Sequence, residues 1–404
     1  MSRMSRACRC LNCIMPPHIL RKLLESKQEH IREAALSTLL ATTRLRGERM
    51  VRAATVTGGA PANARRTIFD CRQGTFLPSA VLVRSESDPP SSDASVNQAF
   101  DGLGTTRDFY KEVFDRNSID GRGMRLDGYV HRGRRYNNAF WDGQEMVFGD
   151  GDGELFTDFT GSLDVIGHEL THGVTEFTAG LIYHNQPGAL NESMSDVFGS
   201  LVKQWSLKQS ADEADWLIGA DITTPAIGAD ALRSLKAPGT AYNNDLLGQD
   251  PQPDHMDRYA QLPDTDDGDN GGVHINSGIP NKAFYLTAME IGGNAWEIPG
   301  HIWYDSLLAS TANSQFQDFA DTTYSKAGQL YGTAEQQAVL SAWRQVGIRI
   351  TGVLAGSVGK RTKGSAGGMA RDWDGLAALT KQIETLSNEV KSLAKDVAGL
   401  KGRR

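Results

Sequence analysis

The chain has 404 residues, a formal net charge of −7 and an ordinary globular composition, 39% hydrophobic and 23% charged. The mild acidity gives no reason to expect a nucleic-acid partner, and no apolar run reaches the roughly 18–20 residues of a transmembrane helix. Four cysteines in a chain of this length do not make a disulfide framework.

The first ten residues are basic but lack an apolar stretch, so no classical secretory signal peptide is visible. Cys10-Leu11-Asn12-Cys13 is a C-x-x-C pair without a second pair at zinc-ribbon spacing. Pro16-Pro17 opens a separate unit. Ile19, Leu20, Leu23, Leu24, Ile31, Ala35, Leu36, Leu39 and Leu40 then recur at helical spacing and predict one or two helices over 18–45. Residues 55–63 are rich in Gly, Ala, Thr and Pro and read as an exposed linker open to cleavage. Strands are predicted over 67–70, 80–84, 128–131 and 145–149, with a Ser/Asp/Pro loop over 85–95 and a helix over 96–114. This is a β-rich lobe. Within it, Asn137-Asn138-Ala139-Phe140-Trp141 reads as an extended edge segment that can hold a peptide by strand addition. Asn138 and the backbone of Ala139 would grip the peptide main chain, and Phe140 and Trp141 would anchor the segment in the core. From Leu163 onward helices dominate, and a cleft is expected between the two lobes.

The most informative stretch is His168-Glu169-Leu170-Thr171-His172. On a helix, positions i and i+4 share a face, so both imidazoles point at one spot. Neutral imidazole suits zinc, and Glu169 beside the pair is a candidate general base for a water on the metal. Val165, Ile166, Leu170 and Val174 supply the buried face. A third ligand is needed, and Glu192 in Asn191-Glu192-Ser193-Met194-Ser195-Asp196 is placed to provide it. Gly180 and Gln186-Pro187-Gly188 read as loop, so the second helix is expected to start near Ala189 and run toward Trp205. Asp196, one turn after Glu192, would accept the spare N–H of a ligating histidine. Downstream, Asp269 precedes His274 across a Gly-Gly turn and would orient it to stabilise charge on a scissile carbonyl. His131, His184, His255 and His301 have no comparable setting and read as structural or surface residues.

With these blocks in order, residues 15–348 resemble the thermolysin-like zinc metallopeptidases, most closely the protealysin branch. The Asn137 block, the His168 helix, the Glu192 helix, Asp269-Asn270-Gly271-Gly272-Val273-His274 and Ile275-Asn276-Ser277-Gly278-Ile279-Pro280-Asn281 carry the match. The resemblance implies an α+β, two-lobe fold: a propeptide over 1–52, a β-rich lobe over 53–165 and a helical lobe over 166–350. It implies one zinc ion on His168, His172 and Glu192, with Glu169 as base. Tyr183 and His274 would stabilise the oxyanion, Asp269 would orient His274, and Arg233 would bind a substrate carbonyl. Phe156, Phe159, Val165, Ile218, Ile222 and Leu232 would wall the pocket for the residue after the scissile bond, favouring a large apolar side chain. Cys13-Ile14-Met15-Pro16-Pro17-His18 resembles the opening of the short, inhibitory protealysin-type propeptides, except that His18 replaces an aromatic residue. The family is exported, so the resemblance implies a secreted zymogen acting on proteins or peptides; the missing signal peptide leaves a cytoplasmic location as the alternative.

Two regions depart from the pattern. Asp164 and Asp215 remain, but Lys203, Leu217 and Ala220 stand where the family's calcium ligands would be glutamates, and an ammonium supplies no oxygen ligand. The double-calcium site is therefore expected to be absent; Asp230 with Thr223 and Thr224 leaves room for a minor single site. Beyond 350, a Gly/Ser/Lys-rich linker over 351–372 leads to Leu376, Leu379, Ile383, Leu386, Val390, Leu393, Val397 and Leu400, a heptad seam over 373–404 that predicts a coiled-coil helix and self-association. A non-catalytic binding protein that recognises partners through this coil is the rival reading, and the intact Glu169 argues against it.

Overall fold

The computed structural model describes residues 12–53 and 65–352. The predicted coiled coil, nearly all of the linker before it, the 55–63 stretch and Cys8 and Cys10 lie outside the described residues.

The N-terminal unit begins with a two-residue strand, β1 (Asn12–Cys13), followed by α1 (Pro17–Leu24) and α2 (Glu29–Ala53). Pro17 is the first helical residue, where its fixed φ and missing N–H are tolerated. The helical spacing is used for burial: Ile19, Leu20 and Leu23 of α1 and Ile31 and Ala35 of α2 are sequestered in the main core.

The first lobe is a mixed sheet crossed by one long helix. Its strands are β2 (Arg66–Asp70), β3 (Val81–Ser85), β4 (Leu126–Val130), β5 (Ala139–Trp141) and β6 (Glu145–Phe148), with α3 (Ala94–Phe114) between β3 and β4. The order is β1-β5-β6-β4-β2-β3. β2, β4 and β6 run parallel, while β5 runs antiparallel to β6. β5 is thus the edge that the lobe itself offers, and β1 covers it as an antiparallel strand, with Cys13 opposite Phe140.

The second lobe is helical: α4 (Leu163–Glu176), α5 (Asn185–Leu207), the short strands β7 (Leu217–Ile218) and β8 (Arg233–Ser234), then α6 (Asp269–Asn276), α7 (Gly278–Ile291), α8 (Ile298–Ala309), α9 (Phe316–Leu330) and α10 (Thr333–Gln345). Trp303, Trp343, Phe284 and Phe319 pack edge to face or stacked at its centre. α5 corrects the sequence reading: it starts at Asn185, not near Ala189, so Gln186-Pro187-Gly188 is its first turn rather than a loop. The first-turn N–H groups of a helix have no partner within it, so Pro187 forfeits no helical bond there. α4 and α5 cross closely because both present glycine. A Cβ on Gly199 would lie 2.5 Å from the Asp164 carbonyl oxygen, and one on Gly167 would lie 3.1 Å from Gly199 Cα. Among the described residues, no helix is long and apolar enough to cross a membrane.

Candidate metal centre and peptide cleft

α4 and α5 bring His168, His172 and Glu192 together with their side chains fully buried. The two Nε2 atoms are 3.0 Å apart, and the Glu192 carboxylate lies 3.5 Å from His168 Nε2 and 3.4 Å from His172 Nε2. The outer ring nitrogens are engaged elsewhere: His168 Nδ1 with Asp196 Oδ1 at 2.9 Å, and His172 Nδ1 with Asn191 Oδ1 at 2.8 Å. A histidine that donates from Nδ1 presents a lone pair at Nε2. Two lone pairs and a buried carboxylate therefore face one point, and Glu192 Oε2 has no hydrogen-bond partner. Such a cluster is relieved by a cation, and two imidazoles with one carboxylate are a donor set that suits zinc. It is the sole such group of His, Cys, Asp or Glu donors among the described residues, and Cys13 is not part of it.

The surrounding charges hold this arrangement. Burial disfavours the charged form of Asp196, yet Arg233 and His168 keep its pKa well below the usual carboxylate range. Arg233 donates to both oxygens of Asp196, at 2.9 Å each, and Asn281 Nδ2 donates to Oδ2 at 2.9 Å. Burial and the neighbouring Glu192 charge push Glu169 well above the ordinary range. Its Oε2 accepts from the Trp141 backbone N–H at 3.0 Å.

His274 sits where Asp269 holds it twice. Asp269 Oδ1 is 2.6 Å from the His274 Nδ1 atom, and Asp269 Oδ2 accepts from the His274 backbone N–H at 2.8 Å. The turn between them needs three left-handed residues, Asn270, Gly271 and Gly272, which explains its glycines. Burial pulls the imidazole down, but the Asp269 and Glu192 carboxylates outweigh it and raise its pKa to about 9. His274 Nε2 lies 3.2 Å from the Tyr183 hydroxyl, which donates a short hydrogen bond to Glu192. Tyr183 and His274 thus stand together beside the donor cluster.

The cleft is filled by the chain's own N-terminal segment. Ile14 N–H donates to the Ala139 carbonyl at 3.3 Å, and Met15 N–H to Asn138 Oδ1 at 3.1 Å. Arg233 donates to the Ile14 carbonyl at 3.0 Å, and His274 Nε2 is 3.1 Å from the Cys13 carbonyl. Asn138, Ala139, Arg233 and His274 are therefore all in contact with one extended peptide.

The relatives fit this geometry. Residues 50–176 match the model of the thermolysin metallopeptidase catalytic domain, and residues 179–348 that of its alpha-helical domain. The chain belongs to the thermolysin family of zinc metallopeptidases. It is 46% identical over 339 residues to an extracellular metalloprotease of Pectobacterium carotovorum subsp. carotovorum, covering 83% of this chain and 96% of that one. It is 45% identical over 344 residues to protease PrtS of Photorhabdus sp. (strain Az29), covering 83% and 92%. The structure is similar to that of the protealysin precursor of Serratia proteamaculans, with a TM-score of 0.76, 49% identity, and coverage of 83% of this chain and 99% of that one.

In this thermolysin-family peptidase, Phe156, Phe159, Val165, Ile218, Ile222 and Leu232 are all buried in the main hydrophobic core. Lys203 lies among Asp164, Asp215 and Asp221 at 3.2, 3.0 and 3.4 Å. Asp230 is exposed. The four histidines set aside in the sequence have other settings: His131 bridges Asp93 and Asp150, His184 pairs with Asp264, His255 with Asp257, and His301 lies edge-on to Phe114. Asn191, Ser195 and Asn281 were missed. Asn191 and Ser195 both reach His172 Nδ1 and repeat, one residue earlier, the spacing of Glu192 and Asp196, which is the signal that could have found them.

Proposed function

We propose that the chain is the latent form of a secreted zinc endopeptidase that cuts before large apolar residues. The observation that carries the reading is the extended segment over Cys13 to Met15, held as an added strand against β5 beside the His168, His172 and Glu192 cluster. Zinc on these three side chains would supply a Lewis acid that acidifies water and takes up charge from a peptide carbonyl. Asn138, the Ala139 carbonyl and Arg233 hold the peptide backbone in register. Glu169 takes a proton from the attacking water and returns it to the leaving amine. His274, oriented by Asp269, and Tyr183 donate to the carbonyl oxygen as it gains charge. Phe156, Phe159, Val165, Ile218, Ile222 and Leu232, as pocket walls, select an apolar side chain after the scissile bond, by about 1.5–3 kcal/mol for full burial.

Residues 1–52 act as an inhibitor in cis. A tethered segment sits near the cleft at an effective concentration on the order of millimolar, so weak contacts suffice for latency. The docking is supported by the buried faces of α1 and α2, by Asn137 N–H donating to Thr38 Oγ1 at 3.0 Å, and by the Arg21–Asp267 ion pair. Release requires a cut between Met50 and about Pro61. The position of Lys203 among Asp164, Asp215 and Asp221 supports a fold that does without the double-calcium site. Secretion is supported by the extracellular relatives.

The test is proteolysis of a casein-type substrate by the processed chain. Activity should vanish with a zinc chelator and return with zinc. Full activity in the thoroughly chelated, metal-free protein would overturn the reading.

A further inference from the structure

The bound N-terminal segment has the polarity of a substrate. The group placed to donate to a carbonyl oxygen, His274 Nε2, meets the Cys13 oxygen at 3.1 Å. On the other side of the same peptide unit, the Ile14 N–H donates to the Ala139 carbonyl of β5 at 3.3 Å. That oxygen and that nitrogen belong to the same peptide bond. Arg233 at the Ile14 carbonyl and Asn138 at the Met15 amide fix the register on the following residues, at 3.0 and 3.1 Å. Ile14 itself is fully buried in the main hydrophobic core. A segment that merely blocked the cleft would need neither this direction nor this alignment. A chain running the other way would not bring one peptide bond's oxygen to His274 and its nitrogen to the Ala139 carbonyl.

We infer that the Cys13–Ile14 bond is a self-processing site, cut by the same centre that the N-terminal segment inhibits. The inference rests on the peptidase reading and adds to it a defined bond. Water adds across the bond: the Cys13 carbonyl carbon gains the oxygen and becomes a carboxylate, and the Ile14 nitrogen gains the proton and becomes a free amine. No other reactant is needed. The cut does not expel the inhibitor. Ile19, Leu20 and Leu23 stay buried, Thr42 stays 3.2 Å from the Tyr136 hydroxyl, and Arg233 and Asn138 still hold Ile14 and Met15. This event is therefore separate from the later cut that frees the enzyme.

The test follows intact mass and N-terminal sequence of the zinc-loaded full chain over time, beside Glu169→Gln. A second arm incubates a synthetic peptide of residues 8–24 with enzyme already freed of its N-terminal segment, with a casein-type substrate as control. Wild type should gain an N-terminus at Ile14, Glu169→Gln should not, and the peptide should be cut between Cys13 and Ile14. Casein cleavage with the Cys13–Ile14 bond intact in both arms, or cleavage at another bond of the peptide, would overturn the inference alone. No cleavage of casein either would overturn the peptidase reading beneath it.

Discussion

Among single residues, neighbouring groups have separate jobs. In the proposed mechanism His274 serves the charge that develops on the carbonyl, so His274→Ala should lower kcat by about 10²–10³ with little change in KM. An equal rise in KM with kcat unchanged would make it a binding residue instead. His18 gives the latent form a pH dependence. It bonds the Tyr242 hydroxyl through Nε2 at 2.9 Å, and burial pushes its pKa down to about 4; Asp269 opposes this, while His274, Arg233 and Arg21 add to it. A docked His18 binds fewer protons than a free one with its ordinary value of 6.5. Docking is thus fully supported above pH 6.5 and weakens as pH falls toward 4, where the effect levels off. Binding of a labelled 12–53 peptide to processed Glu169→Gln should weaken at least about tenfold from pH 7.5 to pH 5. His18→Phe should remove that slope, and an unchanged slope would contradict the assignment.

At the scale of elements, the crossing of α4 and α5 sets the metal centre. Gly199→Ala would drive a Cβ into the Asp164 carbonyl and the His168 backbone. Overpacking of this kind costs about 1–3 kcal/mol, and here it should also weaken zinc binding, because His168 and Glu192 lie on the two helices being parted. Calorimetric unfolding and zinc titration of the variant check both. Lys203 ties α5 to Asp164 at the start of α4. Lys203→Met leaves Asp164 buried beside no cation and should cost about 3–5 kcal/mol, while a calcium-selective chelator should leave the wild-type melting temperature unmoved. A chelator-induced drop would restore calcium to the account. The elements were legible in the sequence where pattern and burial coincide, as for the His168 helix, whose apolar face and paired histidines share one period. They were less legible where a partner imposes the conformation. Asn12 and Cys13 are too few to show a strand pattern, and β5 makes them a strand. Cys13 to Met15 makes the backbone contacts in the cleft, while Pro17 starts α1. Gln186-Pro187-Gly188 reads as a loop because proline and glycine punctuate most chains, although the first turn of a helix admits both.

In the whole molecule, the two lobes and the N-terminal unit make one device: a cleft, a cluster of metal-ligating side chains within it, and a tethered peptide that fills it. The heptad seam over 373–404 lies beyond a Gly/Ser/Lys-rich stretch and outside the family match. Deleting residues 371–404 should leave activity on small peptides intact and reduce the molar mass measured by light scattering; equal masses for both chains would remove the coil from the account. Latency is the property that joins all the parts, and mass spectrometry of freshly purified full chain, read alongside peptidase activity, tests it most directly. Wild type should lose its N-terminal segment with time and gain activity, while Glu169→Gln binds one zinc ion yet stays full length and inactive unless active enzyme is added. Wild type fully active with residues 1–52 still attached and bound in the cleft would contradict the account.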